Sequence, residues 1–198
     1  MRYVYLEPVK LPADADFVAG HFSLSTIRAR YPSATVLTIL REPRSRLLSH
    51  WVFWRSEAEM SQPELGSWGE YLKASHRRFA DFLTERKIAG QIDNVATRLL
   101  LGPHPLIPTS DFIKYHDDAA LIADAQAELA SLSFVNVIEN PRLSDELARW
   151  LNRPFQLARV KETKPVPRRC QLSLEHELTP AALDAWEARS RLDWTLWS

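Results

Sequence analysis

Apolar positions fall along this chain in two kinds of pattern. Val36, Leu37, Ile39 and Leu40 make a short, nearly unbroken apolar run, and Phe134 to Ile138 makes another. Runs of that length without clean alternation predict strands buried on both faces of a parallel sheet. Tyr3-Val4-Tyr5-Leu6 predicts a further short strand. Elsewhere the period is helical. Ser23 to Tyr31 predicts a helix with Leu24 and Ile27 near one face, ended by Tyr31-Pro32. Pro43 to about Glu57 predicts a second, with Leu47, Leu48, Trp51 and Trp54 facing the core and His50 exposed. Trp68 to Arg86 predicts a third through Tyr71, Leu72, Phe79, Phe82 and Leu83, carrying the basic cluster His76-Arg77-Arg78.

Asn94 to Leu101 predicts a short helix stopped by Gly102-Pro103. Asp117 to Leu132 repeats apolar residues at helical spacing, and a helix around Leu143 to Leu151 follows the second strand. The last helix starts at Thr179-Pro180, an N-cap followed by a proline suited to the first turn, and is expected to pack on the sheet and not to bind substrate. A strand followed by a helix, twice, predicts an α/β fold: a small parallel sheet flanked by helices. At 198 residues, without repeats, low-complexity tracts or linkers, the chain reads as a single domain, 1–198.

The junction after the first strand carries the chemistry. Arg41 ends the apolar run, Pro43 sits where a helix begins, and Ser49 falls about two helical turns after Arg41. In an open α/β sheet ligands bind beyond the carboxyl ends of the strands, where a helix N-terminus offers free N–H groups to an anion. An arginine fork and a hydroxyl converging there suit a phosphate. The same spacing also serves an arginine that caps a carbonyl or pairs with Glu42.

Lys+Arg and Asp+Glu are both 25, so no global field draws in nucleic acid or a membrane surface, and an anion site has to be local. Cys170 is the only cysteine, which excludes an internal disulfide and suits a reducing compartment. No signal-peptide pattern and no apolar run of about 20 residues occurs, so the expected location is cytoplasmic, without a membrane span. The six histidines are scattered and lack metal-ligand spacing. Gly-x-Ser-x-Gly and a phosphate loop ending Gly-Lys-Ser/Thr are missing, which argues against a hydrolase or an ordinary nucleoside triphosphatase.

Arg41-Glu-Pro43-Arg-Ser-Arg46-Leu-Leu-Ser49 resembles the Arg-Asp-Pro-x-x-Arg-x-x-Ser segment of sulfotransferases that use 3′-phosphoadenosine 5′-phosphosulfate, most nearly the carbohydrate 2-O and 6-O enzymes. In the same order, Ala19-Gly20-His21-Phe22 resembles their Gly-His segment, and Asp93 to Gly102 their Asn-x-x-Thr-Arg-x-Leu-x-Gly stretch. Phe134 to Glu139 resembles their Phe-Val-Gly-x-x-Glu strand, and Lys161-Glu-Thr163-Lys164 lies where they place a basic loop over the nucleotide.

The resemblance implies a sulfotransferase-like domain related to the P-loop nucleotide-binding proteins, with the sulfated nucleotide as co-substrate and no metal. Arg41, Arg46, Ser49, Lys161, Thr163 and Lys164 would then bind the nucleotide, and Asn94 and Arg98 the acceptor. Arg98 reads equally as a buried partner for an acid. His21 would take the proton from a carbohydrate or glycolipid hydroxyl, as neutral imidazole can near pH 7, although a loop histidine also commonly bonds only neighbouring backbone. Animal members of the group are membrane-anchored, so the chain looks more like a bacterial relative.

One family feature is missing. The Pro-Lys-Thr-Gly-Gly-Thr-like loop that cradles the 5′-phosphosulfate has no match before His21: Gly20 is the first glycine, and Lys10 is the one lysine ahead of Arg41. The expectation is an N-terminally incomplete domain, one completed by another chain, or one that no longer transfers sulfate. The rival to an enzyme is therefore a non-catalytic nucleotide-binding or partner-completed subunit. The expected partners are the nucleotide and a hydroxyl-bearing acceptor; a homo-oligomer stays open.

Overall fold

The two apolar runs pair with each other. In the computed structural model, which describes residues 11–12, 15–57, 67–155 and 173–198, β1 (Leu37–Leu40) and β2 (Phe134–Val137) lie parallel, Leu37 opposite Phe134 and Leu40 opposite Val137. The ladder is extended at its ends by Ser133 N donating to Val36 O (3.0 Å) and Ile138 N to Leu40 O (2.8 Å). The expected strand at Tyr3–Leu6, like the basic segment Lys161, Thr163 and Lys164, lies outside the described residues.

The sheet is only partly covered: of the strand residues Leu40 alone is buried, and the others are half-buried or exposed. α8 (Leu143–Leu151) lies against β2, with Trp150 5.5 Å from the Phe134 ring and Glu146 accepting from Asn136 Nδ2 at 2.7 Å. Val135, which shares the other face with buried Leu40, remains 40 % exposed. Burial on both faces, as the apolar runs predict, is therefore not what the strands have. An unbroken apolar run reports that neither face is polar; it does not report what packs on either.

The main core is helical. α2 (Pro43–Ser56), α3 (Ser67–Ser75), α4 (Phe79–Leu83) and α10 (Pro180–Trp197) surround Leu47, Trp51, Trp54, Leu72, Phe79, Phe82 and Leu83. Trp54 stacks on Tyr71 at 5.2 Å and meets Phe82 edge-on at 5.7 Å, while Trp51 lies 5.1 Å from Phe79. Offset and edge-on ring pairs of this kind add to the area they bury. α10 packs on α2, α4 and, farther along, on α6 (Val95–Leu101) and α7 (Asp118–Ala130). Its expected place on the sheet is thus corrected: its buried positions Ala182, Ala188 and Leu192 meet helices. α1 (Leu24–Arg30), α5 (Ala89–Ile92) and α9 (Leu174–Glu177) complete the described α-helices, with short 3-10 turns at Arg86–Ile88 and Tyr115–Asp117.

The helix expected over 68–86 is broken in two at Ser75–Arg78. Buried Arg55 of α2 donates Nη1 to Ser75 O and to Arg77 O (2.9 Å for the second), and the Glu177 carboxylate accepts from Phe79 N at 2.6 Å. These side chains from distant segments satisfy the backbone groups that the break exposes. The cluster His76-Arg77-Arg78 consequently sits in an exposed turn, with Arg77 paired to Glu85 at 2.7 Å and Arg78 to Glu177 at 3.6 Å. No described helix is long and apolar enough to cross a membrane.

Candidate functional site

The carboxyl edge of the sheet is where the chain turns from β1 into α2. Arg41 is exposed there and makes no ion pair with any described residue. Pro43 is buried at the helix start, as its fixed φ predicts, and Ser49 is half-buried on the second turn.

The expected opening for an anion at the α2 N-terminus is filled. Glu42 is the N-cap, and its carboxylate folds back to accept from Arg44 N (2.9 Å) and Ser45 N (2.6 Å). Glu42 N donates to Glu139 Oε1 at 2.9 Å, from just beyond β2. A glutamate at this position supplies the negative charge that a helix N-terminus favours, so a ligand has no need to. Glu42 therefore pairs with amides, and Arg41 is left to the solvent.

Farther along α2 a second group of charges gathers. The pKa of His50 is held well below its ordinary value of 6.5, first by burial, then by the Arg46 guanidinium and by His21. Its ring lies 4.3 Å from that of Trp54, and Nδ1 is shielded from solvent, which corrects the expectation of an exposed His50. His21, itself exposed, thus stands within electrostatic reach of His50. Arg46 also acts on Asp193 of α10, whose carboxyl pKa is raised by burial and partly restored by the bonds it accepts from Thr97 N, Ala96 N and Thr97 Oγ1.

Asn94 and Arg98 are placed elsewhere and differently. Asn94 has a left-handed backbone (φ 47), a conformation asparagine tolerates better than most residues, and is fully buried. It donates N to Arg189 O (2.7 Å) and Nδ2 to Asp93 Oδ1 (3.0 Å), and its Oδ1 accepts from Leu192 N (2.8 Å). Arg98 is 3 % exposed. It donates Nε to Asp93 O (2.7 Å), Nη1 to Pro108 O (2.6 Å), and Nη2 to Asp93 Oδ2 and Asp111 O (both 2.7 Å).

Both residues therefore bind the chain to itself, Arg98 as the buried partner of an acid. The acid beside Arg98 was legible: Asp93 starts the same segment. Glu139, Arg44, Trp194 and Trp197 were not singled out for the edge beside Arg41, although Glu139 leaves β2 much as Arg41 leaves β1.

The Lys161, Thr163 and Lys164 expectation falls outside the described residues. Among the described residues no group of His, Cys, Asp or Glu side chains is arranged to hold a metal ion. An open surface depression bounded by Arg77, Asp81, Thr84, Glu85 and Arg86 holds none of the expected site residues. No protein-family model matches the chain, and neither a curated protein nor a solved structure does.

Proposed function

We propose that the chain is a sulfotransferase-like nucleotide-binding protein that holds 3′-phosphoadenosine 5′-phosphosulfate, or its product adenosine 3′,5′-bisphosphate, at the carboxyl edge of the sheet. One observation carries the reading: Arg41 leaves β1 at that edge exposed and without an ion pair to a described residue, at the head of the helix that bears Ser49. A guanidinium so placed can give a phosphate two parallel charge-assisted hydrogen bonds. With Glu42 capping the helix, the phosphate contact rests on side chains, Arg41 and Ser49, with Arg46 adding positive charge from the same helix.

In the transfer step the acceptor's hydroxyl oxygen attacks sulfur, and the sulfur–oxygen bond to the 5′-phosphate breaks. The hydroxyl proton passes to His21, and adenosine 3′,5′-bisphosphate leaves. Catalysis of such a step rests on positioning and on stabilising charge at the transferring group. The acceptor class is a sugar or glycolipid hydroxyl. The filled α2 N-terminus favours a second reading, a nucleotide-binding subunit without transfer.

The test is calorimetric titration with adenosine 3′,5′-bisphosphate. Saturable binding weakened by roughly 1.5–3 kcal/mol in Arg41→Ala supports the phosphate site; unchanged affinity in a folded Arg41→Ala chain removes it. His21→Ala separates the two readings. It abolishes transfer while sparing nucleotide affinity in the enzyme, whereas the wild-type chain of a non-catalytic subunit binds nucleotide and transfers nothing.

A further inference from the structure

Glu139 ties two different things together at the sheet edge. Its Oε1 accepts from Glu42 N at 2.9 Å, one residue from Arg41, and its Oε2 accepts from the indole Nε1 of Trp197 at 3.1 Å. Trp197 in turn lies 5.3 Å from Trp194, the two rings tilted by 49°. The Arg44 guanidinium sits 4.9 Å from the Trp194 ring and reaches Glu187 at 4.0 Å. The two indoles are therefore oriented from both sides, by a carboxylate and by a cation.

Despite this, Trp194 remains 39 % exposed. A large ring that is both held and exposed offers a stacking surface at little entropic cost, because its rotamer is already fixed. Its place matters as much. Through Glu139 the pair is joined to Glu42, the residue after Arg41, at the edge where α/β sheets bind ligands.

We propose that Trp194, supported by Trp197, is the stacking platform for the planar heterocyclic base of the nucleotide. This rests on the nucleotide reading above, and it puts the base on α10, a helix otherwise committed to packing. A planar base suits the platform because the Trp194 ring is already held by the Arg44 guanidinium at 4.9 Å and by Trp197 at 5.3 Å and still keeps exposed surface. The phosphate end of the ligand then extends toward the exposed Arg41 guanidinium.

The experiment titrates the full chain, Trp194→Leu, Trp194→Phe and Arg41→Ala with adenosine, adenosine 3′,5′-bisphosphate and inorganic phosphate, after circular dichroism confirms that each variant is folded. The expected result is that Trp194→Leu weakens adenosine and the bisphosphate alike by about five- to a hundred-fold, the range measured for base–aromatic stacking. Trp194→Phe retains most of the affinity, and phosphate binding is unchanged in both. If the bisphosphate binds Trp194→Leu as tightly as it binds the parent, the platform is overturned and the Arg41 site stands. Adenosine binding that is lost in Trp194→Leu but indifferent to Arg41→Ala, with no added affinity for the bisphosphate, keeps the platform and overturns the phosphate site. Failure of adenosine and its bisphosphate both to bind overturns the platform and the nucleotide reading together.

Discussion

Replacing Arg98 by methionine separates a structural arginine from a ligand-binding one. The ion pair it makes with Asp93 is enclosed, the two side chains being 4 % and 0 % exposed. Removing one partner of a buried pair leaves the other as an uncompensated charge, which typically costs about 3–5 kcal/mol. Asp93 would keep the Ile113 amide (2.8 Å), the Asn94 amide group (3.0 Å) and the more distant Arg189 guanidinium (3.4 Å), which holds the loss within that range. The carbonyls of Pro108 and Asp111 lose their donor too, but they belong to a partly exposed segment where water can replace it.

Urea unfolding followed by circular dichroism measures the effect. With a slope of about 2 kcal/mol per molar, a loss of about 4 kcal/mol moves the midpoint down by about 2 M. The melting temperature should fall by about 8–16 °C, at about 2–4 °C per kcal/mol for a chain of this size. Adding Asp93→Asn should recover part of the loss, since the stranded charge is then removed. An Arg98→Met chain within 1 kcal/mol of the parent, with nucleotide or acceptor affinity lost, would refute the structural assignment and restore the acceptor role.

His50 makes stability depend on pH. Burial, with Arg46 and His21 adding to it, lowers the folded-state pKa below the ordinary 6.5, so the unfolded chain binds the proton more readily and stability rises with pH across that window. As pH falls below about 6.5 this contribution is lost, at up to about 1.4 kcal/mol per pH unit; His50→Gln should flatten that slope, and an identical slope in the variant would remove His50 as its source. In the core, Trp54→Ala should cost about 3–5 kcal/mol in urea unfolding, because Trp54 is 0 % exposed and its loss leaves a cavity among Tyr71, Phe82 and His50. A loss below 1 kcal/mol there would mean that the core collapses around the gap.

The local elements were legible because their causes are local. The proline at the α2 start, the Thr179 cap that accepts from Ala182 N at 3.2 Å, and the 134–137 strand appear where their residues require. The candidate site was legible in part. Arg41 and Ser49 stand on the predicted strand-to-helix junction, but spacing offers Glu42 only as an ion-pair partner for Arg41, not as the carboxylate that closes the α2 N-terminus. Its engagement with two amides depends on Glu42 folding back, and the neighbouring bond depends on Glu139, 97 residues away.

The α/β character, the apolar strands, most helix starts and the placing of one arginine at a strand end are readable from local residues, since each follows from periodicity or from a cap within a few positions. Tertiary structure alone decided the rest. It broke the 68–86 helix through Arg55 and Glu177, turned Asn94 and Arg98 inward as ties to a helix and to neighbouring loops, and brought Trp194 and Trp197 to the sheet edge. In each case the deciding partner lies in a different segment or depends on burial, and both are properties of how the helices pack rather than of any stretch of chain.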